Sequence, residues 1–598
     1  MTTPGCSPAA LQTANAALRR YNAILLFVAG LGGLLYGIDV GIIGGALPYL
    51  EATSGLTAAE LSVIVAAVLL GSVFSTLFAG VLADWMGRKP LMILSGMVFS
   101  LSIPMIALSH GYSPLFFGRL LQGMSGGLVG IVVPLYLAEC LAPSNRGKGT
   151  AIFQWMLTLG IVVAAVVGIY FSYRVAAVVR LGNAASLFHF KDRAWRSIFW
   201  VSLPPGILFV LGSLLVSESP RWLFRRDAES KAYLALLKSR SPAQASLEID
   251  EMRVTARASH AKAPGTHAVE SLLRRKYAIP FLLACAILAC TQGTGVNSII
   301  GYNSTILLQS GLNDVHAHWG YVLFTCVNFL ATSIGMLLVD RKGRRFLMIL
   351  GVGGVMVSLL SVSLLFNSSE KHSVDCRAAV QEMVGPDQQL ALRFDPAMAH
   401  KLLTTRGESK GIESRRASLA IIYSYGGFTT ATSFMRSDDP TATPIEIDRD
   451  SCVPSNRIEA FFKNPFADQR TARTAPLRID KALVSSIPSA QHGWLVALGL
   501  YTFMIFFALG PGIVSWLALS ELMPTRIRSN GMSIALVINQ LVSTTLAAVF
   551  LPFVSQHGYS SIFLLFAGFA AVYLLVVTLF LPETKGKTLE EIEKYFGA

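Results

Sequence analysis

Charge is scarce in this chain of 598 residues: Asp, Glu, Lys and Arg together make up only 14% of it, where an ordinary soluble chain carries about 25%. With 53% hydrophobic residues and a mean hydropathy of +0.55, that shortage excludes a soluble globular protein with a polar surface. Also missing are a phosphate-cradling loop, a metal-ligating cluster and a nucleophile paired with a base, so neither enzyme chemistry nor a cofactor is expected. The opening "MTTPGCSPAALQTANAALRRYN" lacks a cleavable signal pattern, because the apolar run behind Arg19 and Arg20 is too long and has no small-residue cleavage site. The first apolar span is therefore expected to stay in the membrane. Cysteines number only seven, and Cys140, Cys285, Cys290 and Cys326 fall within or at the ends of apolar runs, where they read as small hydrophobes.

Long apolar runs are what the chain does have. Runs able to cross a hydrocarbon core, about 20 residues each, begin near Tyr21, Leu61, Leu91, Pro114, Gly149 and Arg196, and again near Ala278, His318, Phe346, His492, Ser529 and Tyr559. They predict an all-α polytopic membrane protein of twelve transmembrane helices, six on each side of a polar segment from Ser217 to Tyr277. The net charge of +14 does not point to nucleic acid, because the basic residues follow topology. "DWMGRKP", "NRGKG", "DRKGRR" and "PTRIRSNG" each follow an even-numbered span, so all lie on one side of the membrane. The positive-inside rule makes that side the cytoplasm. Both termini are expected there, in a protein of the plasma (inner) membrane whose surroundings are the lipid bilayer.

The chain also repeats itself. "DWMGRKP" from Asp84 recurs as "DRKGRRF" from Asp340, 256 positions later, and "AECLAPSNRGKG" from Ala138 recurs as "SELMPTRIRSNG" from Ser520, with Glu139 and Glu521 382 apart. General basic bias would explain the matched Arg and Lys but not the matched Asp, Gly, Glu and Pro. The two offsets differ by the length of the polar segment between spans nine and ten, so the second half reads as the first with an insertion. Parallel six-helix repeats around a central path are the arrangement of major facilitator transporters. The expected organisation is a cytoplasmic tail (1–20), a first six-helix half (21–216), cytoplasmic linker helices (217–277), spans seven to nine (278–366), an inserted external domain (367–491), spans ten to twelve (492–581) and a second cytoplasmic tail (582–598). The insertion balances 16 basic against 15 acidic residues and carries one alternating stretch, "SLAIIYSYGGFTTATSF", so it reads as a small folded domain with some strand, open to an unknown partner. Cys376 and Cys452 lie in it, where an oxidising compartment would permit a disulfide.

"GRLLQGMSGGLVGIVVPLYLAECLAPSNRG", "SESPRWL", "QGTGVN", "GPGIVSWLALSELMP" and "LPETKGKTLEEIE" resemble the sugar porter family of the major facilitator superfamily, over nearly all the chain except the insertion and the tails. The resemblance implies a small-molecule sugar as substrate. It also implies a central site that includes Tyr36, Gln154, Ile161, Gln292, Asn297, Asn328, Gly512, Trp516 and Asn539, whose amides suit sugar hydroxyls and whose indole suits the face of a pyranose. The sequence departs from the family pattern at Thr291, Gly301 and Gln540, which removes two aromatic walls and implies a roomier, more polar pocket. Arg88, Glu139, Arg146, Glu218, Asp340, Arg344, Glu521, Arg528 and Glu583 lie at cytoplasmic span ends. The resemblance implies that charges of the two halves pair there when the inside gate is shut, while the plainer reading makes them interfacial anchors.

Asp39 stands alone in an uncharged apolar run from Tyr21 to Leu50, at a depth where a charge costs about 2.5 to 3.5 kcal/mol and is usually kept for function. Its expected partner is Arg119. Two readings are open: a fixed counter-charge for that arginine, or a carboxyl that loads and releases the coupling proton. The resemblance favours the second, since an acid here is like that of the proton symporters. A proton-coupled carrier, a facilitative carrier and a transporter-like sensor using the external domain are the functions to separate.

Overall fold

The computed structural model describes residues 8–141, 143–180, 184–261, 275–371, 373–404, 412–432, 434–439, 444–454, 457, 460, 464, 467–523, 528–585, 587, 591 and 595–596. Apolar runs become helices because, in hydrocarbon, every backbone N–H and C=O must be bonded within its own segment. The first half holds α1 (Pro8–Ser54), α2 (Ala58–Met86), α3 (Arg88–Ala107), α4 (Tyr112–Cys140), α5 (Pro143–Val179), α6 (Ala184–Trp200) and α7 (Leu203–Leu215). The linker folds as α8 (Pro220–Arg225), α9 (Glu229–Ser239) and α10 (Pro242–Ala261). The second half opens with α11 (Arg275–Gly293), α12 (Val296–Gly301), α13 (Asn303–Gln309), α14 (Asp314–Lys342) and α15 (Arg344–Glu370). After the insertion come α16 (Ala490–Leu509), α17 (Pro511–Leu522) and α18 (Arg528–Phe580). Polar caps set several starts: Thr57 and Glu60 form a reciprocal capping box on α2, and Asn313 Oδ1 accepts the His316 amide at 2.8 Å on α14.

Among the described residues, eleven stretches are long and apolar enough to cross a membrane, where twelve are expected from the sequence. The difference lies in α18, where two helical segments that meet at Gly558 form one apolar stretch from Gly531 to Phe580. At 1.5 Å per residue it is about 75 Å long, more than twice a hydrocarbon core. Gly558 interrupts it with φ 83°. There the carboxylate of Glu370, from α15, accepts the Tyr559 amide at 2.6 Å and caps the following segment.

The halves meet through equivalent helices. α2 lies along α18 and α5 along α14, which pairs spans two and five of one repeat with spans eleven and eight of the other.

The insertion folds around a core of its own, built from residues such as Val380, Leu392, Leu402, Tyr425, Phe428, Ile447 and Val484. Its main sheet is antiparallel, in the order β1 (Val374–Asp375), β7 (Leu477–Ser486), β3 (Ala417–Tyr425), β4 (Phe428–Ala431), with β5 (Met435–Arg436) also on β3, while β2 (Leu390–Leu392) pairs with β6 (Ile445–Ile447) apart from it. The alternating stretch of the sequence is the β3–β4 hairpin, turned at Gly426 and Gly427. The domain touches both halves: Asp439 meets Lys191 of α6 at 3.1 Å, and Arg436 Nη1 donates to the carbonyl of Leu308 in α13 at 2.9 Å.

Candidate functional site

Asp39 is fully buried on α1, and so is Arg119 on α4. No hydrogen bond or ion-pair contact joins them, although their opposite charges act on each other. Neither carboxyl oxygen of Asp39 has a hydrogen-bond partner, while Arg119 gives Nη1 to Gln122 Oε1 at 2.6 Å and lays its guanidinium over the Phe199 ring. The reason is position. Asp39 sits against Gly126, where an added Cβ would fall 2.7 Å from Oδ2, and Gly126 is seven residues beyond Arg119, about 10 Å along the same helix. Tyr36, one turn before Asp39, also packs on Gly126 and comes close to Gln540 of α18, so the acid lies near a seam between the two halves.

On the other side of that seam the predicted amides form one chain. Gln292 Nε2 donates to Asn539 Oδ1 at 2.8 Å, and Asn297 Nδ2 donates to Gln292 Oε1 at 3.0 Å and to Ser543 Oγ at 2.8 Å. The "QGTG" sequence makes this possible. Gly295 takes φ +77°, with the Phe566 ring where a Cβ would stand, and breaks the span so that Gln292 lies in the last turn of α11 and Asn297 in the first turn of α12. Discontinuous helices of this kind build sites near the membrane midplane.

The remaining predicted residues are more scattered. Asn328 accepts the Thr332 hydroxyl within α14. Its neighbour Phe329 meets Trp155 of α5 at 4.9 Å between ring centroids, which brings Gln154 to the same level. Ile161 is buried against Gly41 of α1. Gly512 packs on the Phe507 ring, and Trp516 is 51% exposed, with no described bond joining it to the amide chain. Thr291 is turned away into a hydroxyl cluster with Ser515 and Tyr573, each at 2.9 Å.

The charged span ends form two copies of one cluster. In the first half, two guanidinium nitrogens of Arg88 stand 3.0 Å from the oxygens of Glu139, Ser219 donates to Glu139, and Glu218 Oε1 accepts the Arg88 amide at 3.0 Å. In the second, Arg344 Nη2 stands 3.3 Å from Glu521, Thr584 donates to Glu521 at 2.6 Å, and Glu583 Oε1 accepts the Arg344 amide at 3.0 Å. Among the described residues these bonds stay inside their own halves; pairing across the halves is expected when the inside gate is shut. Each Glu218 or Glu583 carboxylate fills the space over a glycine of positive φ, Gly87 at 99° or Gly343 at 89°, which a side chain would block. Burial raises Glu218 above the usual carboxylate range despite amide bonds from Ser219, Lys89 and Arg88. Burial also opposes the charge on Glu583, but the amides of Lys585, Arg344, Arg345 and Thr584 prevail and lower it. The side chains of Arg146, Asp340 and Arg528 lie outside the described residues.

The structure does not join Cys376 to Cys452. Both are buried in the core of the inserted domain with each sulfur turned to a backbone carbonyl, Cys376 to Leu402 at 3.5 Å and Cys452 to Phe428 at 3.1 Å. Sequence reasoning missed Gly126, Glu370 and the partners of Asp314. A glycine gives no signal of what lies over it, and the Asp314 contacts join segments more than 100 residues apart.

The family described as Sugar (and other) transporter matches residues 25–381 and 480–596, leaving out most of the inserted domain. The proton myo-inositol cotransporter of Homo sapiens is 27% identical over 96% of this chain and 81% of its own length. Inositol transporter 4 of Arabidopsis thaliana is 27% identical over 95% and 91%. Among solved structures, the partially occluded inward-open form of the xylose transporter XylE from E. coli superposes with a TM-score of 0.61 at 16% identity, covering 94% of this chain and 100% of that one, a likeness of fold. With the repeated charge clusters and the broken span around Gln292 and Asn297, these matches place the chain in the sugar porter family of membrane transporters; it is not an enzyme.

Proposed function

We propose that the protein takes up a sugar or a cyclic polyol by proton symport through alternating access. The observation that carries this reading is the seam itself. An amide chain of Gln292, Asn297 and Asn539 stands on one side, and a buried carboxyl without a hydrogen-bond partner stands on the other. The amides donate and accept, as polyol hydroxyls require, and no fixed charge lies among them. Asp39 meets no donor in this conformation, so any movement that brings Arg119 or water to it changes its proton affinity. The inositol and proton-coupled names of the relatives support a cyclitol or sugar, and the wider pocket implied by Gly301 and Gln540 agrees with them.

On this reading α18 supplies two crossings, giving twelve in all. The Arg88 and Arg344 clusters and both termini face the cytoplasm, the inserted domain lies outside, and the protein resides in the plasma membrane. The halves are bonded at the outer end, through Tyr49, Ser172, Gly45 and Gly41 to α14, so this conformation faces inward. Uptake of labelled myo-inositol, xylose and glucose into proteoliposomes, with and without an inward proton gradient, tests the proposal. Accumulation of one of them that collapses with the gradient is the expected result. Equal equilibration under both conditions would establish a facilitative carrier instead.

A further inference from the structure

The outer closure converges on one side chain. His318 is completely buried on α14. Its ring stacks on Tyr49 of α1, with centroids 5.4 Å apart and planes 8° from parallel, and rests against Gly168 of α5, where a Cβ would stand 3.3 Å from Cδ2. Nε2 lies 3.1 Å from the carbonyl oxygen of Gly45 on α1. Nδ1 lies 2.9 Å from the carbonyl oxygen of Asp314 and 3.4 Å from its Oδ1. The other carboxyl oxygen of Asp314 accepts the hydroxyls of Tyr49 at 2.9 Å and Ser172 at 2.7 Å. One Asp–His pair of the second half thus holds both α1 and α5 of the first.

The hydrogen-bond inventory decides the chemistry. A carbonyl oxygen only accepts, and both ring nitrogens face carbonyl oxygens. A neutral imidazole has one N–H and would leave a nitrogen lone pair against an oxygen lone pair, whereas the imidazolium donates on both sides. Asp314 supplies the counter-charge. Among the described residues, the ionisable groups facing the ring are Asp314 of its own helix and Tyr49 of α1. α5 presents Ser172 and Gly168, and α16 contributes Tyr501, whose hydroxyl is bonded to the Gly320 carbonyl.

We propose that His318 is a second proton site, at the outer gate: closing the halves over it takes up one proton from the external solution, and losing that proton loosens the closure. Acid outside favours the closed gate and alkali the open one, in the range around pH 6.5 where a solvated imidazole titrates, roughly. The proposal rests on the alternating-access reading and adds to it a proton that acts on the gate without touching substrate.

Labelling of the outer seam tests it. Ile43 is buried in α1 beside Gly301 of α12, so a cysteine in its place reacts with N-ethylmaleimide only when the seam opens. Full-length I43C and I43C/H318Q in nanodiscs would be modified at a series of pH values, with reaction at position 43 read by peptide mass spectrometry so that native cysteines do not interfere. The ratio of the two rates at each pH cancels the thiol's own titration. The expected result is labelling about fivefold or more slower with His318 present at about pH 5.5, the lower end of a coupling of this kind, closing to equality at about pH 8. A ratio that does not change with pH overturns the proton site, whether it equals one or shows a uniformly looser gate. Should H318Q fail to fold, Asp314→Asn keeps the Tyr49 and Ser172 acceptor while removing the counter-charge. It should move the slowing of labelling to lower pH, and an unmoved profile overturns the proposal equally. The measurement uses neither sugar nor gradient, so its outcome is independent of whether Asp39 couples transport.

Discussion

Arg88 holds Glu139 through two nitrogens, each 3.0 Å from a different carboxylate oxygen, and the matched Arg344 holds Glu521 through one contact of 3.3 Å. The first pair is nearly dry, with side chains 3% and 7% exposed, while the second is 15% and 22% exposed. Removing one partner of a buried pair leaves an uncompensated charge and costs about 3–5 kcal/mol, more than for a wetter pair. Arg88→Ala is therefore expected to destabilise the protein by about that amount and Arg344→Ala by less, read as denaturant midpoints in detergent. Equal losses would contradict the difference in burial as the cause.

The two capping carboxylates respond to acid in opposite senses. The pKa of Glu583 is depressed in the fold, so its contribution to stability is present above the ordinary glutamate value of about 4.5 and is lost as pH falls through the lower folded value. Glu218 is raised, so its contribution is present below that ordinary value and fades as pH rises through the folded one. Glu583→Gln should lower the unfolding midpoint at neutral pH, with the deficit shrinking in acid, and Glu218→Gln should show no such acid recovery. Parallel pH profiles for the two variants would refute the assignment.

Gln292 bridges Asn297 and Asn539, so truncating it removes a proposed contact to substrate and breaks both of those bonds. Gln292→Ala should weaken binding of the transported sugar by about 1–3 kcal/mol, roughly 5- to 140-fold. Thr291→Ala, beside it in sequence but turned into the Ser515 and Tyr573 cluster, should leave affinity unchanged. Calorimetric or scintillation-proximity binding separates the two, and a larger effect at Thr291 would move the site.

Much of this was legible because its causes are local. Span length, the basic loops, the β3–β4 hairpin and the duplicated "DxxGR" and Glu segments all write their physics into short stretches of sequence. Gln292, Asn297 and Asn539 were picked out by the family resemblance, but the bond that links Gln292 to Asn539 spans 247 positions and is not written in any short stretch. What could not be read depends on the relative displacement of packed helices. Asp39 and Arg119 are suitable partners by chemistry, yet Asp39 falls two turns along α4 at Gly126. Charges at span ends pair within each half in this conformation, and the outer latch on Asp314 depends on three helices meeting at one point.

The inserted domain begins and ends side by side, with Val374 paired to Val484 across β1 and β7, and its core is separate from those of the helices. Replacing residues 374–486 by a short glycine-serine linker should therefore leave a folded protein that still exchanges substrate. The loss of the Lys191 to Asp439 and Arg436 contacts should appear as faster exchange, not as its absence. Topology can be checked at Ala391, exposed on β2, whose cysteine variant should react with an impermeant reagent in intact cells. Reaction only after permeabilisation would reverse the sidedness of the whole assignment.

On the proposed reading, Asp39 couples transport to the proton gradient. Because no donor meets its carboxyl here and Arg119 is engaged with Gln122, Asp39→Asn removes a titratable group without breaking a bond present in this conformation. The variant should fold, bind sugar and carry out counterflow exchange, yet fail to accumulate sugar against its gradient. The force lost is large enough to see: one charge moved across the membrane is worth about 2.3 kcal/mol per 100 mV, above the 1.4 kcal/mol, about, of a tenfold gradient. Gly126→Ala supplies a steric counterpart, since its methyl would stand 2.7 Å from the Asp39 oxygen, and it should slow uptake and exchange together. If Asp39 instead serves Arg119 as a counter-charge in the outward-facing state, the Asn variant leaves that arginine unpaired and loses exchange as well. Counterflow beside proton-driven uptake, in one reconstituted preparation, separates these outcomes: uphill uptake retained by Asp39→Asn rules out coupling at this residue, and loss of both activities in a folded protein assigns it the structural role.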